Sequence, residues 1–108
     1  MAGAAILILT QMPDRASAQS LARSLVESRL AACVSIGAPV ESLYHWRGQI
    51  ETAREFPVSV KTMRARYPQV EAAILAQHPY ELPEILAVPL TDGLDPYLDW
   101  IERETADA

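Results

Sequence analysis

The sequence predicts an α+β fold in which one antiparallel sheet carries helices on one face. Strand and helix patterns alternate along the 108 residues in the order βαββαβ, and one more helix follows. A long alternating run is broken by Arg47-Gly48, which predicts a hairpin. Half of the residues are hydrophobic, which is enough for one core. We therefore expect a single domain over residues 1–108.

The first half of the domain has a clear strand and a clear helix. Residues 4–9 form a continuous aliphatic run, which is typical of a central strand. Asp14 is a suitable N-cap, and apolar residues follow it at helical spacing: Ala18, Leu21, Ala22, Leu25 and Val26. Residues 30–36 predict a second strand, in which Cys33 is a small core residue.

A long hairpin is predicted next. Gly37 and Pro39 bend the second strand, which resumes over residues 40–46. The alternation returns over residues 50–60, so each arm has about a dozen residues and a length of roughly 35–40 Å. Strands usually have five or six residues. The outer half therefore projects beyond the sheet, and its apolar side chains need another chain to cover them. This predicts an oligomer.

The remaining elements complete the predicted topology. A second helix begins at Tyr67-Pro68 and ends before Pro79, and its inward stripe consists of Val70, Ala73, Ile74 and Gln77. Residues 84–90 predict an edge strand because they contain Pro89. This order is the split-βαβ, ferredoxin-like arrangement, with a strand order of 4-1-3-2.

The end of the chain is predicted to be helical and then irregular. Asp95-Pro96 begins a last helix, which carries Tyr97, Leu98 and Ile101 on one side and Trp100 beside them. Residues 102–108 predict a frayed acidic tail.

Composition excludes several classes of function. The formal net charge of −5 argues against nucleic acid and against an anionic membrane surface as partners. The single Cys33 is typical of a reducing compartment. The first residues have no basic segment and form a strand pattern, so we expect a cytoplasmic protein. No nucleophile with a neighbouring base is visible, so we do not expect an enzyme.

Five short motifs resemble the CutA family of divalent-cation tolerance proteins. They begin at Ala31, Tyr44, Val60, His78 and Tyr97, and they read AACV, YHWRGQIE, VKT, HPYELPEI and YLDWI. The resemblance extends over nearly the whole chain. It implies a cytoplasmic homotrimer of ferredoxin-like subunits that exchange long hairpins, and a role in tolerance of copper and other divalent ions. It also implies a likeness to the nitrogen-regulatory PII proteins.

The resemblance makes His78 the candidate metal ligand, because it matches a histidine associated with copper in the family. Glu81, Glu84 and Tyr80 stand close to it in the sequence. Thr10 and Gln77 stand where some members have a cysteine and a second histidine, so we expect weak metal binding. The alternative interpretation is that the His78 ring caps the end of the second helix.

Other candidate residues belong to a ligand pocket or a subunit interface. Lys61 is the only lysine; it either binds an anionic ligand together with Tyr80, as in a PII-like sensor trimer, or pairs with Glu84. Trp46, with His45 beside it, is either a ligand contact or a trimer contact. Trp100 and the two tyrosines Tyr80 and Tyr97 are interpreted first as packing residues.

Overall fold

The structure is a computed structural model that describes residues 4–106, in which a five-stranded antiparallel sheet combines with three α-helices. The prediction of an α+β fold with an antiparallel sheet is confirmed. The elements are β1 (Ala5–Met12), α1 (Arg15–Glu27), β2 (Cys33–Ile36), β3 (Val40–Trp46), β4 (Gln49–Met63), α2 (Tyr67–Gln77), β5 (Leu86–Pro89) and α3 (Asp95–Glu104). The predicted N-cap is also present, since the Asp14 carboxylate accepts a hydrogen bond from the Ser17 amide.

Strand β4 organises the sheet because it pairs with three other strands. Its inner part pairs with β1 and with β2, and its outer residues 49–55 pair with β3. Strand β5 pairs with the other side of β1, which gives the order β2–β4–β1–β5. The predicted second strand is divided into two strands, β2 and β3. The Gly37 amide donates the last hydrogen bond to β4, at the Pro57 carbonyl, and the chain leaves the ladder between that residue and Val40.

The two faces of the sheet are covered differently. Helices α1 and α2 pack on one face, where alternate residues of β1 and β4 form the core with Leu21, Leu25, Val70 and Ile74. On the other face, which we call the open face, α3 covers only one end, where Leu98 and Ile101 pack on Ala5 and Met63. The rest of the open face, with Leu7, Leu9, Leu86 and Val88, has no covering element among residues 4–106.

The hairpin of β3 and β4 projects as predicted. Its turn places both Arg47 (φ 51°) and Gly48 (φ 78°) in the left-handed region. The backbone twist of such a turn matches the right-handed twist of the two strands that it joins. The sequence pattern requires a positive φ only at Gly48. Leu43 and Ile50 on the outer half are exposed, and the molecule measures 45 × 25 × 24 Å. The hairpin therefore presents apolar side chains to solvent in the isolated chain.

Three details of the sequence prediction are wrong. Cys33 lies half-buried on the open face opposite Lys61, because β2 begins only at that residue and its inward positions are Val34 and Ile36. Gln77 is exposed, because it lies at the last residue of α2, and its amide bonds to the Ser24 hydroxyl. Tyr97 is 40% exposed and lies outside the cluster of Leu98 and Ile101, although its hydroxyl accepts a hydrogen bond from Lys61 on the sheet.

The end of the chain is more ordered than the frayed tail that the sequence predicts. Helix α3 continues to Glu104, and the buried Thr105 bonds through its hydroxyl to the Ile101 carbonyl. The Arg66 guanidinium donates to the carbonyls of Thr105 and Ala106. These side-chain hydrogen bonds satisfy backbone carbonyls at the end of α3 and hold the chain in place there. The acidic composition of residues 102–108 gave no sign of them. Residues 1–3 and 107–108, which the N-terminal strand pattern and the tail prediction include, lie outside the described residues.

Candidate functional site

The candidate site begins at the end of α2, where the chain makes a stiff turn over residues 78–84, which we call the corner. His78 is the C-cap of α2, and its amide donates a hydrogen bond of 2.8 Å to the Ile74 carbonyl. Pro79 and Pro83 each fix φ near −65°, which limits the conformations of the segment between them. The corner therefore holds its polar side chains on a rigid backbone.

Both ring nitrogens of His78 have hydrogen-bond partners. Nε2 lies 2.6 Å from the Gln11 carbonyl oxygen, and Nδ1 accepts a hydrogen bond of 3.2 Å from the Tyr80 amide. Since a carbonyl only accepts and an amide only donates, the ring is the neutral tautomer with its proton on Nε2. The alternative interpretation of a cationic helix cap is therefore wrong: the ring joins the corner to β1.

A groove of about 1010 Å³ lies between the corner and the hairpin, and we call it the hairpin groove. The cross-strand register places Ser42, Tyr44 and Trp46 of β3 on the same side as Ala53 and Glu55 of β4. These five residues form one wall, and residues 80–84 form the other. The groove thus brings together three residues singled out from the sequence: Trp46, Tyr80 and Glu84.

Carboxylates dominate the charge of the hairpin groove. Glu55 is only 8% exposed, and its carboxylate lies near the Tyr80 side chain. Burial, followed by the neighbouring Glu55 carboxylate, raises the pKa of Tyr80 above its ordinary value. At the outer end, Arg47 Nη2 lies 2.8 Å from a Glu81 carboxylate oxygen, and its guanidinium sits 5.3 Å from the centre of the Trp46 ring.

Lys61 and Trp100 lie elsewhere, at the α3 end of the open face. Lys61 Nζ donates a hydrogen bond of 3.3 Å to the Tyr97 hydroxyl, and the Tyr97 ring lies 5.4 Å from the Trp100 ring. The predicted ion pair between Lys61 and Glu84 is wrong, because Glu84 belongs to the hairpin groove. Lys61 is six residues from Glu55 along β4, or roughly 20 Å. One chain therefore does not bring Lys61 and Tyr80 together around an anionic ligand.

The residues of one chain do not fit a resident metal ion. Within residues 4–106 no three His, Cys, Asp or Glu side chains are grouped as a metal site would require. His78 would lose a hydrogen bond to free either nitrogen, and Glu81 already pairs with Arg47. Thr10 is buried on the helix-covered face, and its hydroxyl has no hydrogen-bond partner.

Sequence reasoning missed Tyr44 and Glu55 as groove residues. The pattern itself placed Tyr44 and Trp46 on one face of β3, and it placed Ala53 and Glu55 on one face of β4. The hairpin register shows that these two faces lie on the same side of the hairpin, and that register follows from the two-residue turn at Arg47-Gly48. His45 points to the opposite face and is exposed, so it is not part of the hairpin groove.

Fold and groove together define a class: a ferredoxin-like α+β protein with an open sheet face and a projecting hairpin. A family model described as CutA1 divalent ion tolerance protein matches residues 6–104. The divalent-cation tolerance protein CutA of Thermus thermophilus is 38% identical over 99 residues, which cover 92% of this chain and 96% of the relative. The chain belongs to the CutA divalent ion tolerance family.

Solved structures agree with this assignment. The stable protein CutA1 from the psychrotrophic bacterium Shewanella sp. SIB1 superposes with a TM-score of 0.92 at 43% identity, with coverage of 94% of this chain and 95% of that one. The periplasmic divalent cation tolerance protein CutA of Archaeoglobus fulgidus gives a TM-score of 0.90 at 38% identity, with coverage of 94% and 98%. In the described part of this chain, none of the helices is long and apolar enough to cross a membrane.

Proposed function

We propose that this chain acts in divalent-cation tolerance as a homotrimeric binding protein. The observation that carries the proposal is the uncovered open face. Leu86 is 57% exposed there, and Val88 beside it is also exposed. Exposed apolar residues on a sheet edge and on a projecting hairpin favour burial against further copies of the same chain. The number of three copies rests on the family resemblance.

Divalent cations such as copper bind weakly in this proposal. His78 is the ligand that the resemblance supplies, and a metal ion reaches either ring nitrogen only if a hydrogen bond to Gln11 or Tyr80 is given up. That loss opposes binding. The protein therefore holds no tightly bound metal cofactor and responds to elevated concentrations of the ion.

The remaining parts of the proposal concern class and location. We infer a binding protein rather than an enzyme, acting as one domain over the whole chain. The PII-like alternative, a sensor with an anionic ligand, requires a second copy to bring a cation to the hairpin groove, because Lys61 lies at the other end of β4. A cytoplasmic location is supported by the unpaired Cys33, which is typical of a reducing compartment.

Sedimentation velocity tests the assembly. We expect a single species with the mass of three chains of 11.9 kDa. Leu86→Glu should dissociate it, because a charge then replaces an apolar contact on the open face. Leu75→Glu is the matched control, since Leu75 is similarly exposed (54%) but lies on α2, on the other side of the sheet. A monomeric wild type at micromolar concentration would refute the trimer.

Isothermal titration with Cu²⁺ tests the cation contact on the assembled protein. The chain has two histidines, so His45→Ala is the natural control for His78→Ala. We expect weak binding that is lost in His78→Ala and kept in His45→Ala. Equal affinity in all three proteins would remove His78 from the proposal. Growth of a copper-sensitive bacterial strain that expresses each variant then tests tolerance itself.

A further inference from the structure

The open face carries opposite charges at its two ends. Side chains of β4 alternate between the faces of the sheet, and those of residues 56, 58 and 60 belong to the core under the helices. Glu55 and Lys61 therefore both lie on the open face. Among the strands of residues 4–106, Lys61 is the only cationic residue on that face. The open face thus has one cation, at the α3 end, and a carboxylate at the end of the hairpin groove.

Glu55 has no cation of its own chain as a partner. It is 8% exposed, and none of the ion pairs within residues 4–106 includes it. Arg47 is the one cation that lines the hairpin groove, and it is paired with Glu81 at the outer end. The Tyr80 side chain near Glu55 is neutral. A carboxylate removed from water is stabilised by a cation or by several donors, so this position favours a positively charged group.

A second acceptor without a partner lies beside Glu55. Gln11 stands opposite Pro57 in the register of β1 and β4, so it is a diagonal neighbour of Glu55 on the open face. The Gln11 Oε1 atom is buried and has no hydrogen-bond partner within the described residues. Buried acceptors in folded proteins nearly always have a donor. The inner part of the hairpin groove is therefore incomplete in one chain.

Lys61 has only a neutral partner. Its Nζ donates a hydrogen bond of 3.3 Å to the Tyr97 hydroxyl and lies 5.5 Å from the centre of the Tyr97 ring. None of the ion pairs within the described part of the chain includes Lys61, although the residue is partly buried. Lys61 and Glu55 are therefore complementary: each is a charged group that lacks a counter-charge.

Two copies of the chain are needed to bring these charges together. Six residues of β4 separate Glu55 from Lys61, which corresponds to roughly 20 Å. In a closed ring of copies the contacts run head to tail, so each copy presents one end of its interface to one neighbour and the other end to the next. Such a ring can place Lys61 of one copy against Glu55 of the next, and the same pair then recurs at every subunit contact.

We propose that each copy in the homotrimer inserts Lys61 into the hairpin groove of the next copy, where the ammonium pairs with Glu55 and donates to Gln11 Oε1. This inference rests on the proposed trimer, and it names the residue through which one copy completes the groove of another. The hairpin groove is then a subunit contact. Lys61 is neutralised there, which separates this arrangement from the PII-like alternative, in which a cation remains free for an anionic ligand.

Charge reversal tests the pair through the assembly, measured by sedimentation velocity at micromolar concentration. Lys61→Glu places two carboxylates at each contact and should dissociate the trimer into monomers. Glu55→Lys in the same chain then reverses both charges and should restore the trimer. Glu51→Lys is the control for this second step, because Glu51 lies on the same face of β4 outside the hairpin groove and should restore nothing. A trimeric Lys61→Glu variant, or a folded double variant that stays monomeric, overturns the proposal.

Carbodiimide cross-linking of the wild-type trimer tests the same contact without a risk to folding. The reagent joins an amine directly to a carboxylate, and Lys61 is the only lysine of the chain. We expect covalent dimers and trimers on a denaturing gel, and mass spectrometry should find Lys61 joined to Glu55. Lys61→Arg keeps the charge but cannot form the amide, so it should stay trimeric and lose this product. A product in which Lys61 is joined to a different carboxylate overturns the proposal.

These outcomes separate the ion pair from the proposed function. A monomeric wild type would refute the trimer and the ion pair with it. A trimeric wild type that fails the charge reversal or the cross-link would refute the ion pair alone. Copper titration gives an independent result, because Lys61 and His78 lie at opposite ends of the sheet: Lys61 at the α3 end, and His78 beside the end of β1 at Gln11.

Discussion

His78 and Gln11 connect the end of α2 to the end of β1 through a hydrogen bond of 2.6 Å from the ring Nε2 to the backbone carbonyl oxygen. The other ring nitrogen accepts from the Tyr80 amide, so one side chain fixes both the start of the corner and the strand beside it. This arrangement explains why a histidine at this position has a structural role that does not depend on a metal ion.

Removal of the His78 ring should destabilise the protein. His78→Ala loses two hydrogen bonds, and we expect the free energy of unfolding to fall by about 1–3 kcal/mol. Urea denaturation followed by circular dichroism measures the change. His45→Ala removes an exposed histidine and should change stability by no more than about 0.5 kcal/mol. Equal stability of the two variants would contradict the assigned hydrogen bonds.

The pKa of Tyr80 should fall when the neighbouring charge is removed. Burial raises it first, and the Glu55 carboxylate raises it further, so Glu55→Gln should move the pKa of Tyr80 back toward its ordinary value. Ultraviolet titration of the phenolate, with Tyr80→Phe to identify its contribution, measures the shift. Glu71→Gln is the control, because Glu71 raises the pKa of Tyr67 and not that of Tyr80.

The same residue predicts a loss of stability in alkali. Because the pKa of Tyr80 is higher in the folded protein than the unfolded value of 10.0, the folded state keeps its proton over a pH range in which the unfolded state releases it. Stability is therefore complete below about pH 10 and declines as the pH rises further. Denaturant midpoints of wild type and Tyr80→Phe at rising pH should show a shallower decline in the variant. Parallel declines would contradict this.

The hydroxyl group of Thr62 should contribute to the stability of the folded protein. It is fully buried, and its Oγ1 donates a hydrogen bond of 2.7 Å to the Leu30 carbonyl, which ties β4 to the loop before β2. Thr62→Val keeps the volume and leaves that carbonyl without its donor, so we expect a loss of about 1–3 kcal/mol in the free energy of unfolding. Thr52→Val on the exposed outer half of β4 is the control and should change little.

The ion pair between Arg47 and Glu81 should contribute little to the free energy of unfolding, although its charged atoms lie only 2.8 Å apart. Both side chains are more than half exposed, so water and salt screen their attraction. A double-mutant cycle with Arg47→Gln and Glu81→Gln should give a coupling energy of no more than about 1 kcal/mol, and less in 1 M salt. A larger coupling energy that persists in high salt would show that the pair is desolvated in the assembled protein.

Local patterns predicted most of the secondary structure. The Asp14 cap, the start of α2 at Tyr67 and the Arg47-Gly48 turn depend on a few neighbouring residues, and the structure has all three. The errors occur where distant groups decide the outcome. Arg66 orders the end of the chain from 39 residues away, and no local signal at Thr105 reveals this partner.

The candidate site was less predictable than the fold, for the same reason. His78, Trp46, Tyr80 and Glu84 were singled out from the sequence, yet the partners that define their chemistry lie far away along the chain. Gln11, which fixes the tautomer of His78, is 67 residues from it. The sequence offers Lys61 either an anionic ligand or Glu84 as its partner, whereas its partner in the structure is Tyr97, on a helix whose position on the sheet no short pattern specifies.

The position of β1 in the sheet has a consequence for synthesis. Both of its neighbours in the sheet, β4 and β5, are synthesised after it. Until residues 86–89 have emerged, one edge of an aliphatic strand has no partner within its own chain. Such late, long-range pairing slows folding and exposes the nascent chain to aggregation. The apolar run that stabilises the finished sheet is therefore a segment that needs protection while the chain is being made.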